Sequence, residues 1–164
     1  MNPDSDSFTQ QVRYILASRD RSELDDPSLA CAAVLVPLFC REGEWHVLVT
    51  RRTQLVEHHK GQISFPGGAC DPEDADLQAT ALRETFEEIG IPPGAVEILG
   101  ALDDFMTVTD FVVTPFVGVI PHPFVYQLNE LEVEAVIEVP LSFFHDPRHL
   151  RVEQREYQGR RFDV

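Results

Sequence analysis

Apolar residues at Ala75, Ala79, Leu82, Phe86 and Ile89 recur at steps of four, three, four and three. That is one stripe of an amphipathic helix over about Asp74 to Ile89. Gly90 is the residue type that commonly ends a helix in left-handed conformation, and Pro92-Pro93 enforce the stop. Upstream, "LACAAVLVPLF" reads as a buried strand and "EWHVLVTRR" as a second, joined through "REGE" into a hairpin from Leu29 to Arg51. A short helix is predicted around Phe8 to Leu16, followed by an acidic, polar stretch ending at Pro27. After the helix, "VEILGALDDF" and "FVVTPFVGVI" read as strands, and "ELEVEAVIEVPLSFF" as a last strand running into a short helix. The stretch "TQLVEHHKGQISFPGGACDPEDAD" has no long period and predicts a loop, with at most a short strand at Ile63–Phe65. A connection of more than twenty residues is unusual unless it has a function. No repeat or linker divides the chain, so the expectation is one domain over residues 1–164, an α+β or α/β sandwich around a mixed sheet.

The helix carries an electrostatic anomaly. Glu84, Glu87 and Glu88 crowd its last turn, at the negative end of the peptide dipoles, with Arg83 as the one neighbouring cation on the helix. At about 100° per residue Glu84 and Glu88 lie within roughly 40° of each other, opposite the Ala79, Leu82 and Phe86 stripe. A solvated acidic face would leave every local term unfavourable. A bound divalent cation reverses those signs, and Mg²⁺ and Mn²⁺ favour carboxylate oxygens while keeping waters that bridge phosphates. Gly67-Gly68, about fifteen residues upstream, let backbone approach such a ligand closely. Asp71, Glu73 and Asp74 suit the start of the helix as caps.

Charge sharpens the question. Asp and Glu total 28 against 13 Lys and Arg, a net charge of −15, which excludes a surface that coats nucleic acid. A phosphate-bearing substrate would be repelled unless a metal or a local basic patch intervened. Arg51, Arg52 and Lys60, the chain's one lysine, are that patch, with His59 beside them. Arg52 is read as pointing to solvent, and Phe65 as core. Cys31, Cys40 and Cys70 show neither zinc spacing nor a disulfide framework, which favours a reducing compartment. The start "MNPDSDSF" lacks the features of a signal peptide, and no apolar run reaches membrane-spanning length. The expectation is a soluble, cytoplasmic protein without a membrane or nucleic-acid partner; its oligomeric state is left open.

Gly68, Arg83, Glu84, Glu87, Glu88 and Gly90 resemble the signature of the Nudix hydrolases: glycine, five residues, glutamate, seven residues, then R-E-U-x-E-E-x-G-U with U aliphatic. "RETFEEIGI" matches, with Thr85 at an aliphatic position. Strict spacing back from Arg83 meets Ala75 and Ala69 instead of glutamate and glycine; one extra residue restores Gly68 and brings Asp74 near the missing acid. Upstream, "LVTRRTQLVEHHKGQISFPGG" is similar to the motif of the coenzyme A pyrophosphatase branch, with Thr50, Arg51, His59 and Gly61 to Gly68 in register and Leu55 at the second arginine's place. The resemblance spans about Ala30 to Leu141, leaving residues 1–28 as an added helix and acidic segment.

The resemblance implies an α/β/α sandwich and Mg²⁺- or Mn²⁺-dependent hydrolysis of the diphosphate of coenzyme A or acyl-coenzyme A to 3′,5′-ADP and 4′-phosphopantetheine or its acyl form. It implies Glu84, Glu87 and Glu88 as catalytic metal ligands, the Gly68 carbonyl as a further ligand, and Arg83 as a residue orienting a glutamate. Substrate contacts are expected from Arg51, His59, Lys60, Gly61, Gln62, Ser64, Phe65 and Gly67, with the adenosine end near "HKGQISF" and the pantetheine arm toward solvent. The base that activates water is open among Glu57, Glu130, Glu132 and Glu134. Rival readings are a Nudix enzyme acting on ADP-ribose, NADH or a nucleoside triphosphate, and an inactive nucleotide-binding module of the same fold.

Overall fold

The "REGE" segment folds as read. Glu42 and Gly43 take positive φ (54° and 85°), which gives the two-residue turn whose twist matches a hairpin. It joins β1 (Ala30–Arg41) to β2 (Glu44–Arg52) in antiparallel register, Arg41 opposite Glu44. The computed structural model describes residues 3–54, 61–152, 154–157 and 160–163. Glu57, His59 and Lys60 lie outside the described residues.

Ahead of β1, helix α1 spans Pro3–Ser18, longer than its apolar stripe predicts. The acidic stretch that follows is strapped to the sheet. Arg19 pairs with Asp103, and Arg21 donates to Asp104 (2.6 Å) and to the Leu102 carbonyl. The predicted loop after β2 contains two short strands, β3 (Ile63–Ser64) and β4 (Gly67–Ala69). Helix α2 (Leu77–Ile89) then leads through β5 (Glu97–Ala101) and β6 (Phe105–Met106) to β7 (Phe111–Val119). The chain continues with β8 (Val133–Pro140), the short α3 (Leu141–Phe144) and a hairpin of β9 (Gln154–Tyr157) and β10 (Arg160–Asp163). The expected strand "VEILGALDDF" is thus split in two: at the break the Leu102 N–H donates to Pro115, and Asp103 and Asp104 turn aside to hold Arg19 and Arg21.

The main sheet runs β3-β2-β1-β7-β5, with β4 also on β1, β6 on β7 and β8 on β2. β1 and β7 are parallel, Ala30 opposite Phe111 through Leu38 opposite Val119; the other pairs are antiparallel. This is the mixed sheet flanked by helices that the sequence predicts. On one face Leu35, Phe39 and Leu48 pack with Ile89 at the end of α2 and with Ile91. On the other, Leu38, Val47, Leu99 and Val117 are covered by Phe8, Val12 and Leu16 of α1.

Two expectations are corrected. Cys31 and Cys70 are not free thiols. The β1–β4 register sets Ala32 opposite Ala69, so the next residues face each other and form a disulfide with Cα atoms 5.6 Å apart. A separation of 39 residues gives no hint of this pairing, and it removes the thiol-based argument for a reducing compartment. The helix start is capped by Asp76, whose side chain accepts from the Ala79 N–H at 2.8 Å, rather than by Asp71, Glu73 or Asp74. Among the described residues no helix is long and apolar enough to cross a membrane.

Leu35 is fully buried at the centre of the first cluster. Leu35→Ala should therefore lower unfolding stability by about 3 kcal/mol, measured by urea titration, since little around it is free to collapse into the cavity.

Candidate active site

α2 is turned away from the face that its hydrophobic pattern selects: of the stripe Ile89 is buried, as are Thr80, Ala81, Thr85 and Glu88, whereas Phe86 is 50% exposed. The turn brings Glu84 and Glu88 inward. The Thr85 hydroxyl, at the motif's aliphatic position, is satisfied by donating to the Ala81 carbonyl at 2.7 Å. No basic residue lies in the last turn. The helix-end carbonyls are instead met by a distant segment: the Gln127 N–H donates to Ile89 and the Asn129 N–H to Glu88, while Gly90 closes the end at φ 79°.

Glu88 lies deepest. Its side chain is 3% exposed, and its Oε2 is buried without a hydrogen-bond partner. Burial pushes its carboxyl up to about 8; nearby Glu84 and Glu132 add to this, while Arg52 and the Gly67 N–H oppose it. The Arg52 guanidinium stands 3.5 Å from Glu88 Oε1, so Arg52 does not point to solvent. Leu48, Thr50 and Arg52 share one face of β2 by the two-residue alternation of a strand, and that parity was the available signal. Glu84 is also raised by burial, against the pull of Arg83. Its carboxylate lies against Gly68: a Cβ there would come within 2.6 Å of Glu84 Cδ, and the carboxylate would have to shift. Glu87 is turned outward, 53% exposed.

Arg83 is clamped rather than free. Its Nε and Nη2 donate to the two oxygens of Asp74 (2.8 and 2.9 Å), its Nη2 also to the Ala69 carbonyl, and its Nη1 to Glu84 (2.8 Å) and Glu87 (3.2 Å). The guanidinium holds the Asp74 carboxyl well below the usual carboxylate range, and the Thr80 hydroxyl donates to the same acid. Asp74, which brings the one-residue departure in spacing, thereby anchors the arginine that positions Glu84.

The remaining residues divide. Gly67 and Gly68 lie at the carboxylate end, Gly68 against Glu84 and the Gly67 N–H lowering the Glu88 carboxyl slightly. Ser64 and Phe65 sit just upstream, Phe65 packed on the α1 side of the sheet. Gln62 and Gly61 continue the strand edge, the Gln62 carbonyl accepting from the Arg52 N–H. Arg51 faces the other way, in a half-exposed ion pair with Glu134. Of the candidate bases among the described residues, Glu130, Glu132 and Glu134, it is Glu132 whose charge acts on Glu84 and Glu88. Its carbonyl accepts from the Thr53 N–H, and its carboxylate accepts from Asn129. Glu130 is exposed at the surface.

Among the described residues no three His, Cys, Asp or Glu side chains already converge as a metal shell. The donor chemistry nevertheless fits a hard divalent cation. Glu84 and Glu88 offer only oxygen, one of those oxygens is orphaned, and among the described residues the cation touching Glu88 is Arg52 at the long distance given above.

A mixed sheet with a strand–glycine–helix segment, carboxylates gathered at the far end of that helix and an arginine clamped among them define a Nudix hydrolase. The NUDIX domain model matches residues 30–154, and the chain belongs to that family. It is 52% identical over 137 residues to the Nudix hydrolase NudL of Enterobacter sp. (strain 638), covering 84% of this chain and 69% of the relative. The NudL of Escherichia coli O157:H7 is 48% identical over the same shares. A NUDIX hydrolase from Alicyclobacillus acidocaldarius superposes with a TM-score of 0.59 at 26% identity, over 71% of this chain and 81% of its own. The NUDIX domain of Shewanella oneidensis NrtR, complexed with ADP ribose, shares the fold with a TM-score of 0.55 at 20% identity, over 74% of this chain and 81% of its own.

The raised Glu88 carboxyl has a measurable consequence without metal. The folded protein holds that proton to about pH 8, whereas unfolded glutamate releases it near 4.5. The stability contribution is therefore full below the lower value and lost as pH rises through the upper one. Thermal melts in EDTA should fall across pH 5 to 8, by on the order of a few kcal/mol, and Glu88→Gln should flatten that slope.

Proposed function

We propose that this protein is a Mg²⁺- or Mn²⁺-dependent pyrophosphatase that cleaves coenzyme A and acyl-coenzyme A to 3′,5′-ADP and 4′-phosphopantetheine or its acyl form. The observation that carries the reaction type is the buried, partly orphaned Glu88 carboxylate one turn from Glu84, whose own carboxylate lies against Gly68. The substrate is supported by "GQISFPGG", Gly61 to Gly68, in register with the coenzyme A branch.

Bound at Glu84 and Glu88, with Glu87 and the Gly68 carbonyl as further donors, a divalent ion would offset the diphosphate's charge and acidify water. Arg83, held by Asp74, fixes the Glu84 carboxylate so that it need not reorganise during the reaction. Gly67 and Gly68 let a diphosphate come against the backbone. Water bonds to one phosphorus, the bridging P–O bond breaks, and the bridging oxygen leaves with the other phosphate. We assign to Glu132 the proton that the water loses. Arg51, with His59 and Lys60, reads the 3′-phosphate. For Arg51 this means leaving Glu134, a half-exposed pair of small net worth.

ADP-ribose stays in view because a structural neighbour binds it, so the first test is a hydrolysis panel of coenzyme A, ADP-ribose, NADH and a nucleoside triphosphate with and without Mg²⁺. Coenzyme A should be cleaved best. Glu84→Gln and Glu88→Gln should each lower turnover by roughly a hundredfold or more with circular dichroism unchanged; near-wild-type turnover at limiting Mg²⁺ would exclude these ligands. A second measurement compares coenzyme A with 3′-dephospho-coenzyme A. We expect higher kcat/KM for the former and a narrower gap in Arg51→Ala, whereas equal values in the wild type would remove the 3′-phosphate reader.

A further inference from the structure

The strand that carries the glycine pair is only three residues long, and among the described residues β4 pairs with β1 alone, at Val34, Ala33 and Ala32. Glycine gives up more backbone freedom on ordering than any other residue, so a ladder this short holds weakly by itself. Its entry is secured by the Leu35 N–H, which donates to the Pro66 carbonyl at 2.9 Å. Past its exit the chain leaves the sheet, with Asp71, Pro72 and Glu73 exposed. Cys70 fastens that exit. Its N–H donates to the Cys31 carbonyl at 3.1 Å, and its sulfur is bonded to that of Cys31.

The disulfide stands between two grips on Arg83. Just before Cys70, the Ala69 carbonyl accepts from Arg83 Nη2 at 3.1 Å. Just after it, the Asp71 N–H donates to the Asp74 carboxylate and the Asp74 N–H to the Asp71 carbonyl. These bonds close the turn that presents Asp74 to the guanidinium. The partners that hold Arg83 from outside α2, Ala69 and Asp74, thus flank Cys70 and are moored to β1 through it. Arg83 in turn sets Glu84, whose carboxylate lies against Gly68 of the same strand.

We propose that the Cys31–Cys70 disulfide is a positioning element of the carboxylate site, and that its reduction by a dithiol turns the site into a slack, slower state. This rests on the metal-dependent hydrolysis proposed above and is independent of which diphosphate is the substrate. Cys31 is exposed and Cys70 half-buried, so the incoming thiolate bonds to the Cys31 sulfur and the bond to Cys70 breaks. Cys70 leaves as a thiolate and takes a proton. The reductant's second thiol then displaces Cys31, and the reductant ends as a cyclic disulfide, having passed two electrons and two protons to the protein. Cys40, near the other end of β1, is a free thiol and takes no part.

The test compares air-oxidised protein, protein reduced with dithiothreitol and then freed of it under nitrogen, and the double variant Cys31→Ala, Cys70→Ala. Thiol titration should find Cys40 alone in the oxidised protein and all three cysteines after reduction; three free thiols in both would remove the bond and the proposal with it. We expect Mg²⁺-dependent kcat to fall by roughly tenfold or more on reduction, as for a small displacement of a catalytic group. Dithiothreitol should leave the double variant unchanged. Mn²⁺ binding without substrate, followed by electron paramagnetic resonance, should weaken in the reduced protein and in the double variant alike. Amide exchange should quicken over Gly68 to Asp74, while Leu35, Phe39 and Leu48 in the core keep their protection. Unchanged kcat and Mn²⁺ affinity on reduction would overturn the proposal. So would faster exchange spread evenly through the core, which would make the bond a general brace. A protein without diphosphatase activity in either redox state would sink the proposed function, and Mn²⁺ binding and exchange would still decide this one.

Discussion

Glu88 is held where water cannot reach one of its oxygens, and the rest of the site is arranged around that fact. A buried carboxylate must keep a proton or acquire a cation. Arg52 approaches from β2 without closing a short pair, and Glu84 and Glu132 press in from the same side. Two further carboxylates around a buried one are a poor structural choice, and the divalent ion proposed above would offset them.

The Arg83 clamp shows how the fold absorbs a departure from the family's spacing. With an alanine where the motif has its first glutamate, Asp74 supplies the acid and reaches Arg83 with both oxygens. Because its side chain also takes the Thr80 hydroxyl and the Asp71 N–H, the loop before α2 and the helix itself are tied at one point. The arginine then reaches Glu84 from a fixed position.

The hairpin, the sheet class and the acidic helix end were legible because they depend on local pattern: a tight turn, two-residue alternation and like charges at the wrong dipole end. The rotation of α2 was not. Phe86 counts as core in a hydrophobic stripe, yet the helix is turned by the carboxylates it must present. Arg52 could have been placed by its parity with Leu48 and Thr50. The Cys31–Cys70 bridge and strand β4 could not, since both follow from a glycine-rich segment pairing with β1, for which residue type gives little signal. Nothing in the sequence separates Glu132 from the other three glutamates; that its segment closes the end of α2 follows from tertiary contacts alone.

That capping segment also dates the site within the life of the chain. The carbonyls at the end of α2 are closed by Gln127 and Asn129, and β1 pairs in parallel with β7, some eighty residues downstream. During synthesis the glutamates emerge well before the residues that bury them, and non-local parallel pairing is slow to form. Until then they are ordinary hydrated acids on a nascent helix. The buried carboxylates therefore exist as such only once the sheet has closed around them, and an unfinished chain lacks them.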